Sequence, residues 1–119
     1  MEITNILQAN AGGVTLGLDY IPQQIKNGYA VAITDNEIIF ADITEKQIKK
    51  EIQKLKATAK KLNLTDYFFG WWLDKKTKKG YLDLVLIIKN KNTALQLAQT
   101  FNQKAIFNFK TLESVYLTN

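Results

Sequence analysis

Histidine, cysteine and arginine are all missing from this 119-residue chain, and proline occurs once. Each absence removes a class of chemistry. Histidine is the side chain whose unperturbed pKa falls between about 5 and 8. Without it or a thiol, the chain can build no Ser-His-Asp triad, no Cys-His pair, no thiolate nucleophile and no ordinary zinc site. Without arginine it has no bidentate guanidinium clamp for phosphate or carboxylate. Disulfides are excluded. Apolar runs such as 84–88 fall far short of the ~20 residues that cross a membrane as a helix. The opening MEITNILQAN lacks the basic stretch followed by an apolar one that marks a secretory signal. These absences predict a non-enzymatic protein of the cytoplasm, with no membrane partner, no metal and no cofactor.

What is present is ordinary core material and a great deal of lysine. A composition 46% hydrophobic and 23% charged suits a single domain spanning residues 1–119. All sixteen basic residues are lysine, and the net charge is +5. The excess is local. Segment 44–62 holds seven lysines, Lys46, Lys49, Lys50, Lys54, Lys56, Lys60 and Lys61, against Glu45 and Glu51. The remaining nine lysines and nine acids cancel, so any electrostatic footprint belongs to that segment.

Residues 3–9 are expected to form a first helix, with Ile3, Ile6 and Leu7 on one side, ended by Gly12-Gly13. Strands are expected at 14–18, 29–33 and 37–41, with a connecting loop over 19–27 that contains Pro22. Between the last two strands Asp35-Asn36 is a turn signal, which predicts a hairpin. Thr44 is the expected N-cap of the main helix, with Glu45 favourable in its first turn. Ile48, Ile52, Leu55, Ala59 and Leu62 follow one another at spacings of four, three, four and three. They form one apolar stripe that docks on the protein's own sheet. Two long apolar strands, 67–73 and 81–88, are joined by a lysine-rich segment ending in Gly80. They predict a central hairpin covered on both faces. Asn92 is the expected cap of a helix over 93–102, with Ala94, Leu95, Leu97, Ala98 and Phe101 inward. Strands at 105–109 and 114–117 close the chain. The fold class is α+β: a mostly antiparallel sheet with a central hairpin and two to three helices packed on it.

Three constellations carry binding chemistry. In the main helix Lys49, Lys56 and Lys60 fall along one line, flanked by Lys46, Lys50, Lys54 and Lys61. Such a stripe can follow phosphates. A merely solvated helix face looks the same, because lysine stems cover apolar surface. Lys75, Lys76, Lys78 and Lys79 crowd the hairpin tip, where they suit an acidic cleft or keep a hydrophobic hairpin soluble. The run Tyr67, Phe68, Phe69, Trp71, Trp72 alternates, so Phe69 and Trp71 share one face while Phe68 and Trp72 share the other. An open aromatic face makes a protein hot spot or a stacking platform for single-stranded nucleic acid, and a closed one is core. Asp74 and Asp83 bracket the hairpin as candidate cross-strand neighbours, the arrangement a carboxylate dyad or a Mg²⁺ site needs. Neutralisation of adjacent lysines by Asp74 is the simpler reading.

The segments GYAVAIT (28–34), GWWLD with GYLDL (70–74 and 80–84) and ALQLAQTFNQKAIFNF (94–109) with ESVYL (113–117) resemble a family of small proteins. These are encoded by phages and other mobile elements of low-GC bacteria. The resemblance spans 28–117 and brings no catalytic residues. It implies an accessory gene product acting in a host bacterial cytoplasm, a setting in which inhibitors of defence nucleases, anti-CRISPR proteins among them, are found. The expectation is a protein that inhibits or modulates a host nucleic-acid-handling defence protein through Trp71, Trp72, Tyr81, Lys75, Lys76, Lys78 and Lys79. The alternative is direct DNA or RNA binding through Lys46, Lys49, Lys50, Lys56 and Lys60.

Overall fold

Thr44 starts the longer helix as its sequence position predicts. Its hydroxyl oxygen accepts the Gln47 N–H at 3.1 Å, satisfying one of the amides that a helix start leaves without a partner. From there helix α1 runs over Glu45–Lys61 and buries Ile48, Ile52, Leu55 and Ala59. In the computed structural model, residues 13–19, 21–34, 37–39, 44–74 and 79–117 are described. The helix expected over 3–9, the Asp35-Asn36 turn and the tip lysines Lys75, Lys76 and Lys78 lie outside them.

The strands are β1 (Val14–Leu16), β2 (Tyr29–Ala32), β3 (Glu37–Ile39), β4 (Phe68–Asp74), β5 (Lys79–Ile88), β6 (Ala105–Asn108) and β7 (Glu113–Tyr116). The second helix, α2, spans Lys91–Thr100. The strands form one antiparallel sheet in the order β1-β4-β5-β2-β6-β7. This is an α+β fold with the β4–β5 hairpin at its centre. β3 is not the hairpin partner of β2. Strand β5, ten residues long, pairs with both along the same edge: Ala32 to Tyr29 oppose residues 85–88, and Glu37 to Ile39 oppose residues 81–79. A strand of that length offers both short segments more ladder than either offers the other.

Register puts Leu16, Phe69, Trp71, Leu82, Leu84, Val31 and Ile106 on one face, since side chains alternate along each strand. All of these are buried, in one cluster with Ile48, Ile52, Leu55 and Ala59 of α1 and Ala94 and Ala98 of α2. Both helices therefore lie on this face. Each large apolar side chain buried there contributes about 1.5–3 kcal/mol.

The helix ends share one device. Asn63 and Asn102 both take the left-handed conformation, with φ 56°. In α1 the Leu64 N–H donates to the Ala59 carbonyl at 2.9 Å and the Asn63 N–H to Lys60 at 3.1 Å. In α2 the Gln103 N–H donates to Ala98 at 2.8 Å and the Asn102 N–H to Gln99 at 3.1 Å. These are paired Schellman closures, with asparagine where glycine is usual. They correct one expectation: Leu62 is the C-cap and is 44% exposed, because the chain leaves the helix there and Leu64 packs inward instead. The start of α2 also differs. Asn90, not Asn92, is the cap, and its side-chain oxygen accepts both the Thr93 N–H at 3.0 Å and the Thr93 hydroxyl at 3.3 Å. No helix among the described residues is long and apolar enough to cross a membrane.

Candidate interaction surfaces

The same strands that build the core present a second set of side chains to the far face. Pairing places Trp72 opposite Tyr81, Phe68 opposite Val85, and Gly70 opposite Asp83. Across the next strand, Ala30 faces Ile87 and Ala32 faces Val85; Phe107 of β6 then faces Ala30. Neither helix packs on this side. Coverage of the hairpin on both faces is the expectation from its apolar character; among the described residues the helices cover only the near one, and Trp72 on the far one is 51% exposed.

The hairpin end of the far face is aromatic. The Trp72 and Tyr81 rings stack with centroids 5.6 Å apart and planes 25° from parallel, and Trp72 is 51% exposed. Offset stacking of this kind adds about 0.5–1.5 kcal/mol beyond area burial. Below the pair, Gly70 leaves room for Val85, whose Cγ2 lies 2.6 Å from where a Cβ would stand. Val85 is buried on this face yet separate from the main core. At the other side of the sheet Phe107 meets Phe109 edge to face at 5.4 Å, and Tyr116 is 72% exposed.

Of the expected partner-binding residues, Trp72, Tyr81 and Lys79 share the far face, because Trp72 pairs directly with Tyr81 and Lys79 lies two residues from Tyr81 on the same strand. Lys79 is exposed and leads into the segment carrying Lys75, Lys76 and Lys78. Trp71 is corrected. It is 2% exposed in the core, its indole ring lying over Gly80 where no Cβ intervenes, so a partner cannot reach it.

Asp74 and Asp83 are not neighbours. Asp74 opposes Lys79 while Asp83 opposes Gly70, four pairs further along the ladder. Asp83 instead accepts the Thr34 hydroxyl proton at 2.7 Å, and the same hydroxyl oxygen accepts the Leu84 N–H at 3.0 Å. That chain of hydrogen bonds ties the residues following β2 to β5. Among the described residues, no group of three or more acidic side chains converges on a metal position.

The lysines of α1 occupy the opposite side of the molecule, outside the core-facing stripe. Lys46, Lys49, Lys50, Lys54, Lys60 and Lys61 are exposed, whereas Lys56 is half-buried. The centre of the outer face is therefore Lys46, Lys50, Lys54 and Lys61, which fall within about a quarter turn of one another on a 3.6-residue helix. The line expected through Lys49, Lys56 and Lys60 runs along its flank. Helical angles taken from the buried stripe, in place of spacing among the lysines, would have located that centre. Lys54 Nζ reaches the Glu51 carboxylate at 3.4 Å, an exposed pair of little energetic weight. The far-face neighbours Phe68, Val85, Ile87 and Phe107 were the residues least apparent from sequence, because strand parity says which side chains go together but not which side the helices take.

No protein-family model, curated protein or solved structure matches this chain.

Proposed function

We propose that this is a non-enzymatic binding protein whose docking surface for a protein partner is the far face of the sheet around the Trp72–Tyr81 stack. The observation that carries this reading is a tryptophan half exposed on the central hairpin and stacked on the ring of its cross-strand neighbour Tyr81, with Phe68 and Ile87 half-buried further along the same face. Aromatic anchors fixed in advance lose little side-chain entropy on binding and dominate interface energetics. Lys79, exposed on the same face, adds a positive charge that favours an acidic partner surface. The lack of histidine, cysteine and arginine throughout the chain supports occupancy of a surface over turnover of a substrate. The phage-type resemblance of residues 28–117 extends the reading to a host nucleic-acid-handling protein as the partner, acted on by inhibition.

Affinity capture from a nuclease-treated low-GC bacterial lysate tests it. Wild type should retain a discrete protein, and the Trp72→Ala/Tyr81→Ala variant should lose at least about tenfold of that retention, as expected for a hot-spot pair. Equal retention by the variant, or recovery of nucleic acid alone before nuclease treatment, removes the reading.

A further inference from the structure

A second surface, on the other side of the molecule, asks for a different ligand. We infer that the outer face of α1 binds the phosphate backbone of double-stranded nucleic acid without reading its sequence. The lysines at 46, 50, 54 and 61 form its centre and Lys49 and Lys60 its flank, all exposed. From Lys46 to Lys61 the row is about 22 Å long at 1.5 Å per residue, enough to follow several consecutive phosphates. The acids of the helix are at the margin: Glu51 is half-buried with its carboxylate 3.4 Å from Lys54 Nζ, and Glu45 is half-buried in the first turn. The outer face is thus predominantly cationic along its length, and the segment that bears it, residues 44–62, carries the whole net charge of +5.

What this face lacks selects among polyanions. A membrane-surface helix inserts an apolar side, but Ile48, Ile52, Leu55 and Ala59 are already buried in the core. Protein interfaces favour aromatic or arginine anchors, and the non-lysine residues exposed along the helix are Gln53 and Ala57. Base stacking of single strands needs rings, and α1 has none. Base edges can be reached by Gln53 and by the lysines, but lysine is a mobile point charge without a fixed fork of donors, so it favours phosphates over sequence readout. Lysine ammonium groups on flexible stems, with nothing else beside them, suit phosphates held at the fixed spacing of a duplex. Helix α2 is the internal contrast, since apart from Lys91 its exposed side chains are the neutral Asn92, Thr93, Gln96, Gln99 and Thr100.

The test is fluorescence anisotropy of the full chain with a labelled random duplex of about 20 bp at about 50 and about 200 mM salt. The duplex should bind at the lower salt and weaken about a hundredfold or more at the higher, the slope expected for four to five phosphate contacts. Lys46→Gln/Lys50→Gln/Lys54→Gln/Lys61→Gln, folded by circular dichroism, should lose at least about tenfold at the lower salt and most of the slope. The single change Lys50→Glu should weaken binding in the same direction, as a second probe should the quadruple variant fold poorly. Trp72→Ala/Tyr81→Ala should bind the duplex as wild type does. The inference is overturned by no duplex binding at the lower salt, or by equal binding of the lysine variants. Preference for the corresponding single strand, lost with Trp72→Ala, also overturns it, as does binding to phosphatidylserine vesicles with no affinity for the duplex.

Discussion

Trp71 and Trp72 are consecutive residues of one strand with the same side chain, yet one is 2% exposed and the other 51%. The difference belongs to the two faces of the sheet, not to the residues. On the near face, α1 and α2 supply Ile48, Ile52, Leu55, Ala59, Ala94 and Ala98, and Leu16, Val31, Phe69, Trp71, Leu82, Leu84 and Ile106 are sealed in one cluster with them. On the far face the strands supply comparable side chains, but the tryptophan there is fixed by a neighbouring ring, not by a covering layer. Burial by a layer converts an aromatic into stability, whereas fixing it by a single stack leaves its surface for a partner.

Replacing each tryptophan in turn breaks the comparison most directly. Trp71→Ala removes a buried ring from the core cluster and should cost about 3–5 kcal/mol, read as a large drop in the urea midpoint. Trp72→Ala should cost about 1 kcal/mol or less, as surface substitutions do, while abolishing partner capture. Similar losses from the two would mean the faces are equivalent and the far one is core.

Two glycines sharpen the contrast at a smaller scale. A Cβ at Gly80 would meet the Trp71 ring, which is locked in the core, while a Cβ at Gly70 would meet only the Val85 Cγ2 methyl on the less covered face. Gly80→Ala should therefore destabilise by about 1–3 kcal/mol and Gly70→Ala by less, because overpacking costs most where neighbours cannot give way. Thermal unfolding of the two variants side by side checks the order.

Much of this was legible in the residues. The four-three-four-three stripe and the Thr44 cap define α1, since both follow from local spacing and one side-chain oxygen. Strand parity already separated Trp71 from Trp72. Where the reading failed, the deciding contact was distant or the local signal was double. Asp35-Asn36 suggested a β2–β3 hairpin, but the long β5 took both strands as partners. Asn90 and Asn92 can each cap α2, and the former wins with two hydrogen bonds to Thr93. Leu62 continues the apolar spacing, but Asn63 reverses the chain and turns Leu62 out. The position of the lysine face was visible only relative to the buried stripe, which depends on where α1 docks. Which sheet face stays without helices depends on the same docking, so the site around Trp72 could be named from the sequence but its openness could not.

The smallest expected effect tests whether the stack is what holds Trp72 ready. If the ring of Tyr81 fixes the indole, the two side chains should be coupled in the free protein, and single replacements should not add. A double-mutant cycle over Trp72→Ala, Tyr81→Ala and the pair should return a coupling of about 0.5–1.5 kcal/mol in denaturant unfolding. The pair Phe68→Ala with Tyr116→Ala, which sit on strands four places apart in the sheet, should show coupling below about 0.5 kcal/mol. Such a pattern places the energetic focus of the far face at the Trp72–Tyr81 stack. A Trp72–Tyr81 coupling indistinguishable from that of the distant pair would mean that the stack neither orders the indole nor prepares it for a partner, and the far face would then lack the rigid anchor that sets it apart.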